Sequence, residues 1–164
     1  VPILIRRFTT DGVDLGTGGE DAKNPKRFDA TKAMAKNAPD LLIEGFKSRI
    51  GEAQVFGDAL TLDIAQLPEA ALIVEGRFIR IDPGSRAKRY WVSFGAGKSG
   101  VQVAGAVKDA SGNVLAEFTH MKHSGIGLFG GDYVKFLSDD TKDVGRDIAE
   151  FLIRWVSGQD LHKD

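Results

Sequence analysis

The sequence predicts an α+β domain, a two-layer α/β arrangement in which two main helices pack on one face of a sheet. The sheet is expected to be mixed, mostly antiparallel and about five-stranded. The predicted elements run strand, helix, several strands, helix, without the regular strand–helix alternation of a doubly wound fold. The 164 residues are 42% hydrophobic and 27% charged, which is an ordinary globular composition and the usual length of one domain. We therefore expect residues 1–164 to form a single domain.

The strands are predicted from alternating apolar and polar residues between turn signals. Residues 70–82 form the clearest strand, and simple alternation places Ile81 on the face opposite Phe78. The other candidates are a first strand at 3–8, a hairpin formed by 99–109 and 113–121, and weaker segments at 54–56, 59–65 and 90–94. The hairpin predicts one buried and one solvated sheet face, because its first arm alternates valine with polar or small residues.

The first helix is predicted from an apolar stripe. This stripe consists of Leu42, Phe46 and Ile50, which recur every four residues and so share one helix face. Residues 29–36 are also rich in helix-forming residues. Pro39 either kinks one long helix or separates two short ones, in which case Asn37 is the N-cap of the second. Gly51 is the expected C-cap of this helix.

The second helix is predicted at residues 140–156, which are strongly amphipathic. Asp139 and Asp140 suit its positive N-terminal end, and Gly158 suits its C-terminal cap. Outside the elements, residues 9–26 are rich in glycine and turn residues, and we expect them to form a mobile loop. The polar tail at 159–164 is expected to fray.

Composition excludes several classes of protein. The 22 basic and 23 acidic residues give a net charge of −1, which argues against a nucleic-acid binder held by a broad positive field. The absence of cysteine removes disulfides, thiolate metal sites and cysteine nucleophiles. No stretch of the sequence approaches the roughly 18 apolar residues that span a membrane. The chain starts at Val1 without a methionine, so we expect a mature or trimmed form.

Two glycine-rich segments resemble nucleotide-binding motifs but lack their context. Residues 95–99 end in Gly-Lys-Ser, yet position 92 is valine and the following residues look like a strand. A phosphate loop needs a glycine at that position and a helix after the motif. Residues 125–130 have the spacing of a dinucleotide-binding turn, but only one helix follows, so the necessary strand–helix–strand unit cannot close. The first segment is therefore interpreted as a bend entering a strand, and the second as a flexible loop.

The loop at 125–131 also has an alternative interpretation. Its apolar members Ile126, Leu128 and Phe129 stand among glycines, which is typical of a contact with a partner or a membrane. A basic cluster, Arg86, Lys88, Arg89 and Lys98, precedes it in the chain. This cluster either pairs with Asp82 and Glu75 in a structural ion-pair network or holds an anion, since arginine offers a planar fork to phosphate or carboxylate.

No catalytic or metal-binding constellation is evident from the spacing of residues. His120 and His123 fall on opposite strand faces, and no carboxylate close in sequence completes a metal site. They are expected to be solvated. The serines lack a histidine and an acid at an informative spacing, although a triad can assemble in space from distant residues. We therefore predict no catalytic residues, no metal and no cofactor.

One region carries motifs more specific than a general pattern. It combines an apolar strand containing Glu75-Gly76, a Gly-Ser-Arg-x-x-Arg turn at 84–89, and the Phe-Gly-Ala-Gly-Lys-Ser segment at 94–99 before the hairpin. This region resembles the bacterial domain of unknown function 4410 family. The resemblance implies an exported protein, often with a lipoprotein-type signal, that has no established activity. It also implies a periplasmic or outer-membrane-associated location, and it is compatible with a lipid anchor on the precursor.

Three functional hypotheses follow. The first is a non-enzymatic envelope or periplasmic protein that acts through protein–protein contacts with an envelope partner, and not through nucleic acid. The second is a small-anion or ligand-binding module, and the third is a hydrolase-type enzyme. The candidate partner-binding or anion-binding residues are Gly84, Ser85, Arg86, Arg89, Gly95, Gly97, Lys98, Ser99, Ile126, Leu128 and Phe129.

Overall fold

The computed structural model describes residues 1–16, 25–56, 60–61, 69–84, 100–123 and 132–159. In chain order the elements are β1 (Ile3–Ile5), α1 (Pro25–Ala53), β2 (Leu60–Thr61), β3 (Leu72–Asp82), β4 (Gly100–Lys108), β5 (Val114–His123) and α2 (Tyr133–Val156). The strands form one sheet in the order β2-β1-β3-β4-β5. β1 pairs in parallel with β2 and β3, whereas β3, β4 and β5 pair antiparallel. The predicted mixed α+β fold is confirmed.

Both helices pack on the same face of the sheet, as predicted. The main core joins apolar side chains of α1 and α2 to alternate residues of β1, β3 and β4. We call this side of the sheet the helix face. On the other side, which we call the open face, Leu4, Ala71 and Ile73 form a second, small buried cluster. The larger part of the apolar burial therefore lies between the helices and the sheet.

A bulge in β3 changes which residues face the helices. The pairing of β3 with β4 shifts in register between Phe78 and Arg80, and an inserted residue in a strand reverses the alternation that follows it. As a result Ile81 joins Phe78 in the main core. The simple alternation predicted from the sequence is therefore wrong beyond Phe78.

α1 is a single helix that continues through Pro39, which decides between the two predicted arrangements. A proline inside a helix removes one i→i−4 hydrogen bond, here the bond that the carbonyl of Ala35 would accept. Arg7, from the segment after β1, donates from Nη2 to the carbonyl of Lys36 at 3.3 Å and pairs with Asp40. The prediction that Asn37 starts a second helix is wrong, and Gly51 lies inside α1.

The two helices touch through their backbones at one crossing. A Cβ atom at Gly45 would overlap the carbonyl oxygen of Lys142, and one at Gly145 would overlap that of Leu42. Salt bridges between side chains follow this contact. They join Lys142 to Glu44, Arg146 to Glu52 and Arg49 to Glu150. The pair of glycines sets the distance at which α1 and α2 pack.

α2 begins seven residues earlier than predicted. Asp132 is its N-cap, and the carboxylate accepts hydrogen bonds from the amides of Val134 and Lys135. The first two turns were missed because Asp139 and Asp140 also suit a helix start. At the other end Gly158 adopts φ +68° directly after the C-cap Ser157, as a helix-ending glycine does.

The weaker strand candidates have different outcomes. Residues 54–56 are not a strand. The segment at 59–65 contributes β2, and 90–94 lies outside the described residues. Within the predicted loop at 9–26, Thr9 and Asp14 form isolated bridges to Arg77 and Arg80 of β3.

Candidate binding site at the loop end of the sheet

The sheet has one end at which three loop segments begin and finish. We call it the loop end and define it by Gly16, Asp82, Gly84, Gly100, His123 and Asp132. Asp82, Gly100 and His123 are paired across β3, β4 and β5. The segments at 17–24, 85–99 and 124–131 connect residues at this end, and the last two contain ten of the eleven predicted site residues.

Asp82 organises the start of the segment that follows β3. The residue is only 6% exposed, and its Oδ1 accepts a hydrogen bond from the amide of Gly84 at 2.7 Å. Its other oxygen pairs with the guanidinium of Arg80. Gly84 has φ +77°, a conformation that glycine adopts without steric cost. The turn predicted at this position is therefore formed by an aspartate that accepts from the backbone two residues later.

The segment after β1 reaches the same carboxylate. Gly16 lies so close to Asp82 that a Cβ atom would overlap its carboxylate. The amide of Gly16 donates to Asp14 Oδ1 at 2.8 Å, and Asp14 Oδ2 lies 3.7 Å from Arg80 Nε. Gly16 and Asp82, which precede the segments at 17–24 and 85–99, are thus held close together beside charged groups.

Arg27, in the first turn of α1, joins the third segment to this arrangement. Its Nη2 donates to the carbonyls of Pro83 and Gly84 at 3.0 and 2.8 Å. The guanidinium carbon lies 4.9 Å from the ring centroid of Tyr133, a cation–π distance. The Tyr133 hydroxyl in turn donates to the Arg27 carbonyl at 3.5 Å. Arg27 therefore connects Tyr133, which lies just after the segment at 124–131, to Gly84, which precedes the segment at 85–99.

The structure describes one of the eleven predicted site residues, Gly84, and places it at the loop end. The other ten are Ser85, Arg86, Arg89, Gly95, Gly97, Lys98, Ser99, Ile126, Leu128 and Phe129, and they lie outside the described residues. Their segments nevertheless start and finish beside one another, because Asp82 pairs with Gly100 and Gly100 pairs with His123.

Sequence reasoning missed the two residues that connect these segments. Arg27 and Tyr133 carry no local motif, and their contacts join residues 56 and 106 positions apart. Asp82 and Glu75, the acids considered as partners of the basic cluster, pair with other residues. Asp82 pairs with Arg80, and Glu75 pairs with Arg6 and Lys108 at 2.8 and 2.5 Å.

A second polar cluster ties β5 to α2 on the helix face. His120 Nε2 lies 2.8 Å from Asp147 Oδ2, and Lys122 Nζ lies 3.3 Å from the same oxygen. The hydrogen bond from His120 and the charge of Lys122 hold the pKa of Asp147 below its usual value, against the opposing effect of burial. The expectation that His120 is a solvated histidine is corrected by this carboxylate, which is distant in sequence. Within the described residues, no group of three metal-ligating side chains comes together.

A cavity of about 560 Å³ opens between the first halves of the two helices. Its lining is mainly apolar and includes Met34, Leu41 and Val134, with Asp40 and Glu44 at the rim. The carboxylates of Asp40 and Glu44 already pair with cations, Arg7 and Lys142.

Neither described helix, α1 or α2, has an apolar stretch of the length that a membrane span requires.

The fold and the loop end together define a two-layer α+β domain in which the residues flanking three chain segments lie at one end of a mixed sheet. The model of the family described as "Domain of unknown function (DUF4410)" matches residues 3–127. The chain belongs to this family, as the resemblance indicated. No curated protein matches the chain.

Three solved structures show distant likeness. Two are PelC dodecamers from Paraburkholderia phytofirmans. The first of these, a point variant, has 12% identity and a TM-score of 0.44, over 90% of this chain and 87% of that one. The second has 12% identity and a TM-score of 0.47, over 88% and 86%. The third structure is the protein XCC0632 from Xanthomonas campestris, of the family DUF330, with 8% identity and a TM-score of 0.45, over 96% and 85%.

Proposed function

We propose that the chain is a non-enzymatic binding protein that acts through protein–protein contacts at the loop end. The observation that carries the proposal is that the residues flanking the segments at 85–99 and 124–131 lie together at one end of the sheet, where Arg27 connects Gly84 to Tyr133. Ile126, Leu128 and Phe129 stand among glycines in the second segment, a composition that favours contact with another protein. The resemblance to an exported family supports a partner in the bacterial envelope and a periplasmic or outer-membrane-associated location.

The charges of the loop end agree with binding better than with catalysis. At the loop end Asp82 holds Arg80 and the amide of Gly84, and Asp132 caps α2; beside it, Asp14 pairs with Arg80. Each of these four charged groups has a structural partner. A general acid, base or nucleophile needs a group poised for proton transfer or attack, and these four groups are engaged with one another or with the backbone.

Site-specific photo-crosslinking tests the proposal. A photo-reactive phenylalanine analogue replaces Phe129 in the full-length protein, in the cells that make it. The control places the same analogue at Ser111, in the exposed turn between β4 and β5 at the opposite end of the sheet. Crosslinks to one protein from position 129 and none from position 111 are expected. Equal crosslinking from both positions, or none from either, would refute the proposal. Fractionation of the same cells tests the envelope location.

An anion-binding module is the second candidate. The observation that favours it is that Asp82 and Glu75, the two acids considered above as partners of the basic cluster, are engaged by Arg80, Arg6 and Lys108. The anion would bind to Arg86, Arg89 and Lys98. Phosphate, sulfate and dicarboxylates should raise the melting temperature, and an Arg86→Ala, Arg89→Ala double variant should lose that rise. No shift with any of these anions would remove this candidate.

A further inference from the structure

The last strand of the sheet, β5, has an outer side that no described strand occupies. β5 pairs with β4 on one side and ends the strand order. An edge strand presents unpaired amides and carbonyls that another chain can pair with, and natural edges are usually protected by proline, by charged side chains on the edge or pointing inward, or by bulges. β5 contains no proline. It carries Glu117 and Lys122, and the charge of Lys122 is already paired with Asp147.

The irregular part of β5 is limited to its first two residues. Pairing with β4 shifts in register between Val107 and Lys108, where Leu115 is the extra residue of β5. From Ala116 to His123 the pairing is regular. Apolar side chains are exposed along the same strand: Val114, Leu115 and Met121 are 52%, 45% and 39% exposed. A regular edge eight residues long that carries the exposed apolar Met121 is a surface suited to strand pairing.

We propose that this edge pairs with the β5 edge of a second copy of the chain, antiparallel and about a two-fold axis at Thr119. This register opposes Thr119 to itself and Glu117 to Met121 on the open face. On the helix face it opposes Phe118 to His120 and Ala116 to Lys122. No like charges stand opposite each other, and like charges opposite destabilise a strand pair. A two-fold pair of this kind uses the same surface of both copies.

Neighbouring registers are less favourable. An axis at Glu117 opposes two carboxylates, and an axis at His120 replaces the favourable Thr119–Thr119 pair by two imidazoles. An axis at Phe118 brings the Leu115 bulge into the paired region, which leaves a shorter regular overlap. The strand is therefore complementary to itself in one register, which is the reason to choose a second copy over a different protein.

Substitutions that place charges at Thr119, the residue on the proposed two-fold axis, test the proposal in the full-length protein. Thr119 is exposed, so a substitution there leaves the core intact. Sedimentation should show concentration-dependent dimers of the wild type, and Thr119→Val should retain them. Thr119→Asp and Thr119→Lys should each be monomeric, because each places like charges opposite one another. An equimolar mixture of these two variants should restore the dimer.

A second measurement uses the absence of cysteine. Thr119→Cys should form a disulfide-linked dimer under mild oxidation, and Ser111→Cys, in the turn at the other end of β5, should not. A wild type that stays monomeric at its highest soluble concentration would overturn the proposal and leave the edge to a different protein. Dimers that persist in Thr119→Asp, or a mixture that stays monomeric, would overturn it as well.

Discussion

At the loop end, individual side chains hold residues that are distant in sequence close together, and Arg27 is the clearest example. It is partly buried and donates to the carbonyls of Pro83 and Gly84. Arg27→Met keeps most of the aliphatic stem but leaves both carbonyls without this donor. Hydrogen bonds from a charged group contribute roughly 1.5–3 kcal/mol, so we expect the free energy of unfolding in urea to fall by about 2 kcal/mol.

Arg7→Met is the matched control for that prediction. Arg7 also donates to a backbone carbonyl, that of Lys36, and pairs with Asp40, but both side chains are more than half exposed. Exposed ion pairs contribute about 0–1 kcal/mol, so this variant should unfold close to the wild type. Equal losses for the two arginines would contradict the role given to Arg27.

Two glycines, Gly145 in α2 and Gly51 in α1, should respond in opposite ways to substitution by alanine. In Gly145→Ala the new methyl group meets the carbonyl oxygen of Leu42, so the helices must move apart. Overpacking of this kind costs roughly 1–3 kcal/mol. Gly51→Ala meets nothing within 4 Å and should stabilise α1 by up to about 1 kcal/mol, through its higher helix propensity. Opposite signs in thermal or urea unfolding are expected, and a gain for Gly145→Ala would show that the close crossing is not required.

These residues also show where sequence reasoning succeeds. Gly84 was predicted in a turn because its neighbours Asp82 and Pro83 carry a local turn signal. Arg27 was missed because its partners lie 56 residues away and no local pattern encodes that contact. For the same reason His120 was predicted to be solvated, since Asp147 is 27 residues away.

At the scale of elements, tertiary contacts override local preference in two places. Pro39 predicts a kink or a break, yet α1 continues through it, because its apolar face is buried along the helix on both sides of the proline. In β3, the bulge after Phe78 reverses the alternation and turns Ile81 into the core. Neither effect follows from the spacing of apolar residues within one element.

The connection between β5 and α2 predicts a dependence of stability on pH. The pKa of Asp147 is lowered in the folded protein, mainly by the hydrogen bond from His120. A lowered carboxyl pKa contributes stability that is present above the ordinary value of 3.8 and is lost as the pH falls through the folded value. Asp147→Asn should therefore unfold more easily than the wild type at pH 7, and the difference should shrink below about pH 4.

Urea unfolding at several pH values measures this difference. Asp143→Asn is the matched control on the same helix face, because its carboxylate is more exposed and lies 3.9 Å from Lys122. It should change the free energy of unfolding by less than Asp147→Asn at neutral pH. A difference for Asp147→Asn that stays constant down to pH 3 would contradict the contribution of its ionised form.

For the whole molecule, sequence patterns were sufficient for the fold class but not for the arrangement of the site. Alternation and amphipathicity predicted a mixed sheet with two helices on one face, because these patterns report which side of each element is buried. The order β2-β1-β3-β4-β5 depends on pairing between distant segments. The loop end follows from that order, since Asp82, Gly100 and His123 become neighbours only when β3, β4 and β5 are paired.

The two ends of the sheet differ in the chain segments that they carry, and this difference can be tested. One end of the sheet holds the converging segments, and the β4–β5 turn lies at the other end of these strands. In that turn Asp109 accepts from the Asn113 amide and side chain, both at 2.8 Å, and Gly112 donates to the Asp109 carbonyl. A short glycine–serine insertion after Ser111 breaks the hydrogen bond from Gly112 and should lower the free energy of unfolding by about 1 kcal/mol.

If binding belongs to the loop end, this insertion should leave crosslinking from position 129 unchanged. The same insertion after Gly127 should abolish crosslinking in a protein that is as stable as the Ser111 insertion variant. Loss of crosslinking from the Ser111 insertion in a folded protein would move the binding surface away from the loop end.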